Sequence, residues 1–455
     1  MKTRYLLAIC SLPSLATAAF ASDADDSRRF TAERVFDLEY ADDPQISPDG
    51  STIVYARKSM DKFADKVVSD LWTIDTRSGS QRPLVSGEGS SSSVRWSPDG
   101  TRVVYLTTTN GKPDLRLRYQ DSDASFSLAQ LEQSPGAPVW SPDGKTIAFS
   151  MLVPDERASF AKPPKSPEGA EWAQPVRIVD DLVFRFDGAG YLPKGKSQVF
   201  TLSAEGGTPR QVTHGDNGFD SPQWLGNGAL LVTGNQSQDA DLDPIESEIY
   251  RVDLSSQAIT PLTQRDGPDF APTVAPNGAR IAYLGYDDKL KSYQQNDVYL
   301  MAADGSGAQN LTARFDRSID AIAWRPDGRA LIGQTEVDGM LTLVSIDLSG
   351  KVGTLVSDIG GTSLGRPYAS GSFSVASKAG GSSPMIAYTR GSTDRPAEVA
   401  LTRGSGNGRQ LTRLNEDALG HLDLARIEEI KVTSSHDGRE IEAWVALPPN
   451  FRPDG

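Results

Sequence analysis

The chain has 455 residues, 38% of them hydrophobic, with a formal net charge of −14 and a sequence pI near 4.8. That length holds one large domain or about two to three ordinary ones. An acidic balance of this size argues against nucleic acid and anionic membrane surfaces as partners, and the single cysteine, Cys10, leaves no disulfide to form.

Lys2 and Arg4 precede a mostly apolar run from Tyr5 to Ala19, and Ala19-Phe20-Ala21 has the small-x-small form of a cleavage site. The pattern predicts a secretory signal peptide over residues 1–21, cut near Ser22, and an exported, periplasmic product. The run is too short for a membrane anchor and is broken by Ser11, Pro13 and Ser14. Residues 22–39 form an N-terminal segment in which Phe30 to Leu38 carries a helical signal, with Thr31 as its N-cap.

From Pro44-Gln45-Ile46 onward the pattern is β. Ser47-Pro48-Asp49-Gly50 returns as Ser97-Pro98-Asp99-Gly100 after Trp96 and as Ser141-Pro142-Asp143-Gly144 after Trp140. Looser copies end in Gly228 (after Trp224), Gly278 and Gly328 (after Trp324). Proline presets the first central position of a tight turn, Asp or Asn suits the second, and glycine takes the left-handed conformation that follows. A short β-branched run trails each copy, so each reads as a hairpin. Two further strands complete each unit, the third ending in an Asp-x-x-x-Gly turn such as Asp75 to Gly79.

The turn glycines lie 50, 44, 84, 50 and 50 residues apart. Four strands per unit at this spacing predict an all-β, seven-bladed β-propeller of WD40-like or TolB-like repeats over 40–420. The tryptophan before each turn is then a core residue. The one over-long gap marks an insertion at about 154–196, in the third blade, holding a Pro-rich stretch, Asp180-Asp181 and Phe184-Arg185-Phe186-Asp187-Gly188-Ala189-Gly190-Tyr191. A long insertion of this kind either lines a ligand entrance or pins down its own loop. After residue 420 the period ends. Leu424 to Thr433 and Ile441 to Leu447 flank Ser435-His436-Asp437-Gly438-Arg439 and predict a separate hairpin over 421–455.

Catalytic constellations are absent from the sequence pattern. His214, His421 and His436 have no metal-ligand spacing, and no phosphate loop occurs, so neither metal nor cofactor is expected. Gly361-Thr362-Ser363-Leu364-Gly365 fits a nucleophile elbow in letters only. Arg366-Pro367 and the surrounding glycines and serines deny the helix that motif needs, which makes Ser363 a loop serine.

With the repeats and final hairpin in hand, the chain resembles the N-terminal part of bacterial serine peptidases of the prolyl oligopeptidase family, in the acylaminoacyl-peptidase and dipeptidyl-peptidase branch. The resembling residues are Asp43 to Gly50, Trp96 to Gly100, Trp140 to Gly144, Phe184 to Tyr191 and Asp437 to Trp444. The resemblance implies a propeller that caps an α/β-hydrolase domain, with the catalytic triad in the latter. In the family, the stretch after a Pro-Pro-x-Phe like Pro448 to Phe451 enters the hydrolase sheet, so 421–455 is expected to be the truncated start of the peptidase domain. Carried over residue by residue, the resemblance assigns no catalytic residue in this chain. It implies gating and recognition of short peptides, with Arg185, Asp187 and Tyr191 as substrate-side contacts and Asp180 or Asp181 pairing with a peptide amine. The expected partners are short peptides and a separately encoded hydrolase domain or protein partner. The alternative reading is a stand-alone, TolB-like periplasmic propeller that binds a protein partner.

Overall fold

The computed structural model describes residues 28–87, 89–122, 124–155, 164–173, 178–361, 370–379, 383–406, 408–449 and 451–452. The expected signal peptide and the serine of the Gly-x-Ser-x-Gly stretch lie outside the described residues. Strands β1 (Tyr40–Ile46), β2 (Thr52–Asp61), β3 (Lys66–Asp75) and β4 (Gln81–Val85) form an antiparallel sheet in chain order. The next sheet is β5 (Ser92–Trp96), β6 (Arg102–Thr109), β7 (Lys112–Tyr119) and β8 (Ser125–Gln130).

In the third, β9 (Val139–Trp140) and β10 (Thr146–Pro154) are separated from their companions by the insertion, which carries a small hairpin of β11 (Arg185–Phe186) and β12 (Gly190–Tyr191). The sheet resumes with β13 (Gly195–Ser203) and β14 (Arg210–Gln211). The insertion leaves and re-enters the sheet at one point, because Pro154 pairs with Gly195.

Two further four-stranded sheets follow. The first is β15 (Asp220–Leu225), β16 (Ala229–Gly234), β17 (Glu248–Asp253) and β18 (Ile259–Pro261); the second is β19 (Asp269–Val274), β20 (Arg280–Gly285), β21 (Asp297–Ala302) and β22 (Gln309–Asn310). Next come β23 (Ala321–Trp324), β24 (Ala330–Val337), β25 (Met340–Asp347) and β26 (Val352–Ile359). The last unit is β27 (Phe373–Val375), β28 (Met385–Ser392), β29 (Arg395–Arg403) and β30 (Arg409–Gln410). Among the described residues, strand pairing between these final two units is limited to Ile359 and Arg390. A short helix α1 (Glu416–Leu419) leads to the terminal hairpin of β31 (Arg426–Thr433) and β32 (Glu440–Leu447). The first strand of each sheet neighbours the first strand of the next, in the cyclic order β1, β5, β9, β15, β19, β23, β27 and back to β1. Sheets set radially around inner strands make a β-propeller.

The repeated turn explains its own letters. Gly50 N–H donates to the Ser47 carbonyl at 2.9 Å, and Gly50 sits at φ 78°. The Ser47 hydroxyl donates to Asp49 Oδ1 at 2.6 Å and accepts from the Thr52 amide at 3.0 Å. Ser97 and Ser141 repeat both contacts. The looser copy after Trp224 differs, because there the left-handed glycine is Gly226 and not Gly228. Only three residues join β15 to β16, where five join β1 to β2, so the turn closes two positions earlier.

Each of these tryptophans is a bridge; Trp224 and Trp324 are buried in the core, while Trp96 and Trp140 are half-buried against its clusters. The indole N–H of each donates to a main-chain carbonyl in the inner strand of the preceding sheet: Trp96 to Gln45 at 2.9 Å, Trp140 to Arg95 at 3.1 Å, Trp224 to Val139 at 3.1 Å and Trp324 to Thr273 at 3.1 Å. Apolar clusters fill the seams between sheets; one joins Ile46, Ile53 and Tyr55 of the first sheet to Met385, Val399 and Leu401 of the last.

Two local expectations are corrected. The first strand begins at Tyr40 and not at Pro44, and its register shifts between Asp42 and Gln45 around Asp43 at φ 45°. The same bulge recurs at Ser93, Ser221 and Ala271, which sequence periodicity does not reveal. The segment before it is a 3-10 turn, Ala32–Asp37, whose Thr31 makes no side-chain capping bond to it. Six residues are too few to nucleate a stable α-helix, and short 3-10 pieces are the usual outcome.

Candidate functional site

The turns that join second to third strands lie on the face opposite the Ser-Pro-Asp-Gly turns, because strands alternate direction within each sheet. The insertion is one of these connections. Its Phe186-Asp187-Gly188-Ala189-Gly190 segment reverses the chain tightly, with Gly188 at φ 81° and Gly190 at φ 71°, conformations that side chains resist. Arg185 therefore pairs with Tyr191, and Leu192 N–H donates to the Phe184 carbonyl at 2.9 Å. The Phe184 and Tyr191 rings pack with centroids 6.1 Å apart, and the Arg185 guanidinium lies 6.0 Å from the Tyr191 ring centre.

This hairpin walls a cleft of about 730 Å³. Aromatic Phe184, Phe186 and Tyr191 and the carboxylates of Asp155, Asp181 and Asp241 are among its lining residues. Asn217 and Asn235 complete it from the neighbouring sheet and hold the loop that carries Asp241: Asn217 Nδ2 donates to the Ser237 carbonyl at 2.9 Å, and Asn235 Nδ2 to the Asp243 carbonyl at 2.7 Å. Apolar ring faces beside carboxylates and the amines of Lys194 and Lys196 suit a peptide carrying an apolar side chain and polar groups of either charge. The described lining contains no serine, cysteine or histidine, so it offers binding groups without a hydroxyl–imidazole or thiol–imidazole pair of the kind that acyl transfer uses.

The structure brings together Asp181 and Tyr191 in this lining and leaves Arg185 and Asp187 outside it, solvent-exposed on the hairpin. Asp180 and Asp181 do not stand open for a ligand amine. Lys194 contacts Asp180 and lies 3.5 Å from Asp181. Both carboxylates are more than half exposed, so this pairing is worth less than about 1 kcal/mol. Lys194, Asn217, Asn235 and Asp241 carry no sequence signal that singles them out. Only Lys194 lies near the Phe184 to Tyr191 stretch in the chain; the others come from the next unit.

A second, larger cleft of about 940 Å³ opens on the same face. Leu341 and Ile359 of the sixth unit, Gly391 and Pro396 of the seventh, Phe30 of the N-terminal segment, and Ile427 and Pro448 of the terminal hairpin contribute to it. The hairpin rests on the β24–β25 turn, where a Cβ on Gly339 would stand 3.0 Å from the Trp444 ring.

Residues 69–291 match the family model described as PD40, TolB beta propeller domain. Over 455 aligned residues the chain is 22% identical to dipeptidyl-peptidase 5 of Porphyromonas gingivalis, covering 95% of this chain and 62% of that protein. It is 26% identical over 202 residues to the Bacillus subtilis peptidase YuxL, covering 43% of this chain and 30% of that one. The chain thus spans less than two thirds of the length of these relatives. The fold is also that of an acylaminoacyl peptidase solved in complex with Z-Gly-Gly-Phe-chloromethyl ketone, with a TM-score of 0.69 and 15% identity over 92% of this chain and 59% of that one. The TolB propeller match and the relatives named as peptidases together support this chain as the propeller portion of a prolyl-oligopeptidase-family peptidase.

Proposed function

We propose that the chain is the seven-bladed, peptide-gating and peptide-recognising propeller of an exported, periplasmic serine peptidase that cleaves oligopeptides. In this reading residues 1–21 are a signal peptide, 40–420 the propeller, and 421–455 the start of the peptidase portion. The observation that carries it is the cleft between the insertion hairpin and the fourth sheet, where aromatic rings and charged groups converge without serine, cysteine or histidine among the described lining. That composition binds a peptide and leaves bond cleavage to a hydrolase domain on the same face. The exposed apolar residues of the terminal hairpin, Ile430, Val432, Ile441 and Trp444, agree with further protein packing there.

Calorimetric titration with short peptides tests the reading. The folded chain is expected to bind peptides of about five to ten residues, the span that a cleft of this size and its rim can hold. It should do so without turning over chromogenic dipeptidyl or acylaminoacyl substrates. Tyr191→Ala and Phe186→Ala should weaken binding about tenfold, the loss of one aromatic contact. A well-folded chain that binds no peptide, or binds it equally after both substitutions, overturns the reading.

A further inference from the structure

The connecting loops of the fourth and fifth sheets stand beside the cleft and present apolar tips to solvent. Leu242 is 77% exposed, Leu290 92% and Tyr293 73%. Leu290 is held in this position by its surroundings. Its backbone is left-handed at φ 52°, its N–H donates to Asp288 Oδ1 at 2.7 Å, and Gln294 Nε2 braces the same oxygen at 2.5 Å. A bulky residue fixed at positive φ and pointing outward costs folding energy and gains nothing inside this chain.

The two loops form one surface. Asp288 N–H donates to the Asp266 carbonyl at 3.1 Å, and Gly267 N–H to Glu246 Oε2 at 2.9 Å. The fourth-sheet loop carries Asp239, Asp241, Asp243 and Glu246, and the loops facing it carry Asp266, Asp287 and Asp288 along with Lys289 and Lys291; Glu246 feels the charges of Asp243, Asp266 and Asp288. Arg265 engages Asp287 at 3.3 Å and leaves the rest of this negative charge unmatched by it. Burial raises the Glu246 carboxyl above its ordinary range; the Gly267 amide opposes that rise, and the charges of Asp243, Asp266 and Asp288 add to it. The surface is continuous with the cleft, because Ala240, Asp241 and Pro244 belong to the cleft wall.

We propose that this rim is a docking surface for cationic peptide segments with interspersed apolar residues, and that the substrates reaching the cleft are basic oligopeptides. The proposal rests on the peptide-binding reading above and adds its charge selectivity. Charge complementarity selects the occupant: lysine or arginine side chains meet the carboxylates while apolar neighbours cover Leu242 and Leu290.

The test is fluorescence anisotropy on the full chain with labelled ten-residue peptides of alternating Lys/Leu, Ser/Leu or Glu/Leu composition (a length of about 30 Å extended). The Lys/Leu peptide should bind at least about tenfold more tightly than the Glu/Leu peptide at about 50 mM salt. The gap should shrink at about 500 mM, where the screening length falls to a few ångströms. Asp241→Asn with Asp266→Asn, and separately Leu242→Ser with Leu290→Ser, should each weaken the Lys/Leu peptide about fivefold with unchanged circular dichroism. Glu205→Gln, on the opposite face, should change nothing. Equal affinity for all three peptides overturns the charge selectivity and leaves the peptide-binding reading standing. Failure of every peptide to bind overturns both. Binding of a folded basic protein such as cytochrome c, with no peptide bound, overturns the assignment of peptides as the occupant.

Discussion

Asn415 and Glu39, 376 residues apart, are joined by two hydrogen bonds: Asn415 Nδ2 donates to the Glu39 carbonyl at 2.6 Å, and the Glu39 N–H donates to Asn415 Oδ1 at 2.8 Å. Among the described residues no strand is shared between the first and last sheets, since β1–β4 and β27–β30 each run in chain order. The ring is therefore closed by side chains together with a main-chain bond, from the Lys378 N–H to the Pro48 carbonyl at 2.8 Å. The Ser374 hydroxyl bonds both the Ile46 amide and the Pro44 carbonyl, and Arg28 grips both oxygens of Asp423. Asn415 is 2% exposed, so its bonds form away from water. Asn415→Ala should cost about 1–3 kcal/mol, the penalty for main-chain groups left unpaired in a buried site. Hydrogen exchange should report the loss first at β1 and β29. Uniform loosening of all sheets would count against this seam as the point of closure.

The tryptophan bridges permit a graded test. Trp324 is 7% exposed and packs with Leu331, Ala275 and Ala282. Trp324→Phe keeps most of the apolar volume and removes the donor to the Thr273 carbonyl, at about 1–3 kcal/mol. Trp324→Ala also opens a cavity and should cost about 3–5 kcal/mol. Urea denaturation of the two variants separates the terms. A Trp324→Phe variant as stable as the parent would mean that the hydrogen bond carries nothing beyond packing.

Much of this architecture is legible in the amino-acid sequence, for a physical reason. Ser-Pro-Asp-Gly is a local device, since Ser47, Asp49 and Gly50 meet within four residues. The Phe184 to Tyr191 hairpin is local in the same way, set by Gly188 and Gly190. What stays hidden is long-range. Nothing in Asp180-Asp181 signals that Lys194 sits against the pair, or that a loop near Asp241 completes the cleft. The bulges at Asp43, Ser93, Ser221 and Ala271 escape notice because one inserted residue leaves strand composition unchanged while reversing which side chains face inward.

Acid should unsettle the turns first. Burial acts to raise the Asp99 carboxyl, but the Ser97 hydroxyl and the Thr101 amide outweigh it and hold the group down at about 2. Asp143 is lowered as well, chiefly by the Ser141 hydroxyl. A carboxyl whose folded value lies below its unfolded one contributes stability that is present above the unfolded value and is lost as pH falls through the folded value. The window therefore runs from about pH 4 down to about pH 2. Thermal melts across that range should show a steep loss of stability, shallower in Asp99→Asn. An unchanged slope in that variant would remove the turn carboxylates as the source.

The opposite sign applies at the inner bulge of the first sheet. Asp43 accepts from Arg95 at 2.7 Å, linking adjacent inner strands, and Gln45 Nε2 donates to its other oxygen at 2.7 Å. Burial raises the Asp43 carboxyl above its ordinary value, and Arg95 opposes that rise. A group with a raised folded value adds stability below its unfolded value and loses it as pH climbs through the folded one. Removing Arg95 takes away the opposing charge, so Asp43 rises further and its ionised form becomes harder to keep inside. Arg95→Met should therefore destabilise the fold more at pH 7 than at about pH 4, where Asp43 takes up a proton more readily. Melting temperatures of parent and variant at the two pH values decide it. The double variant with Asp43→Asn should recover most of the loss at pH 7, because an amide carries no charge to strand; a double variant no more stable than Arg95→Met would show that Arg95 acts through its 2.7 Å bond to the Val94 carbonyl and not through Asp43.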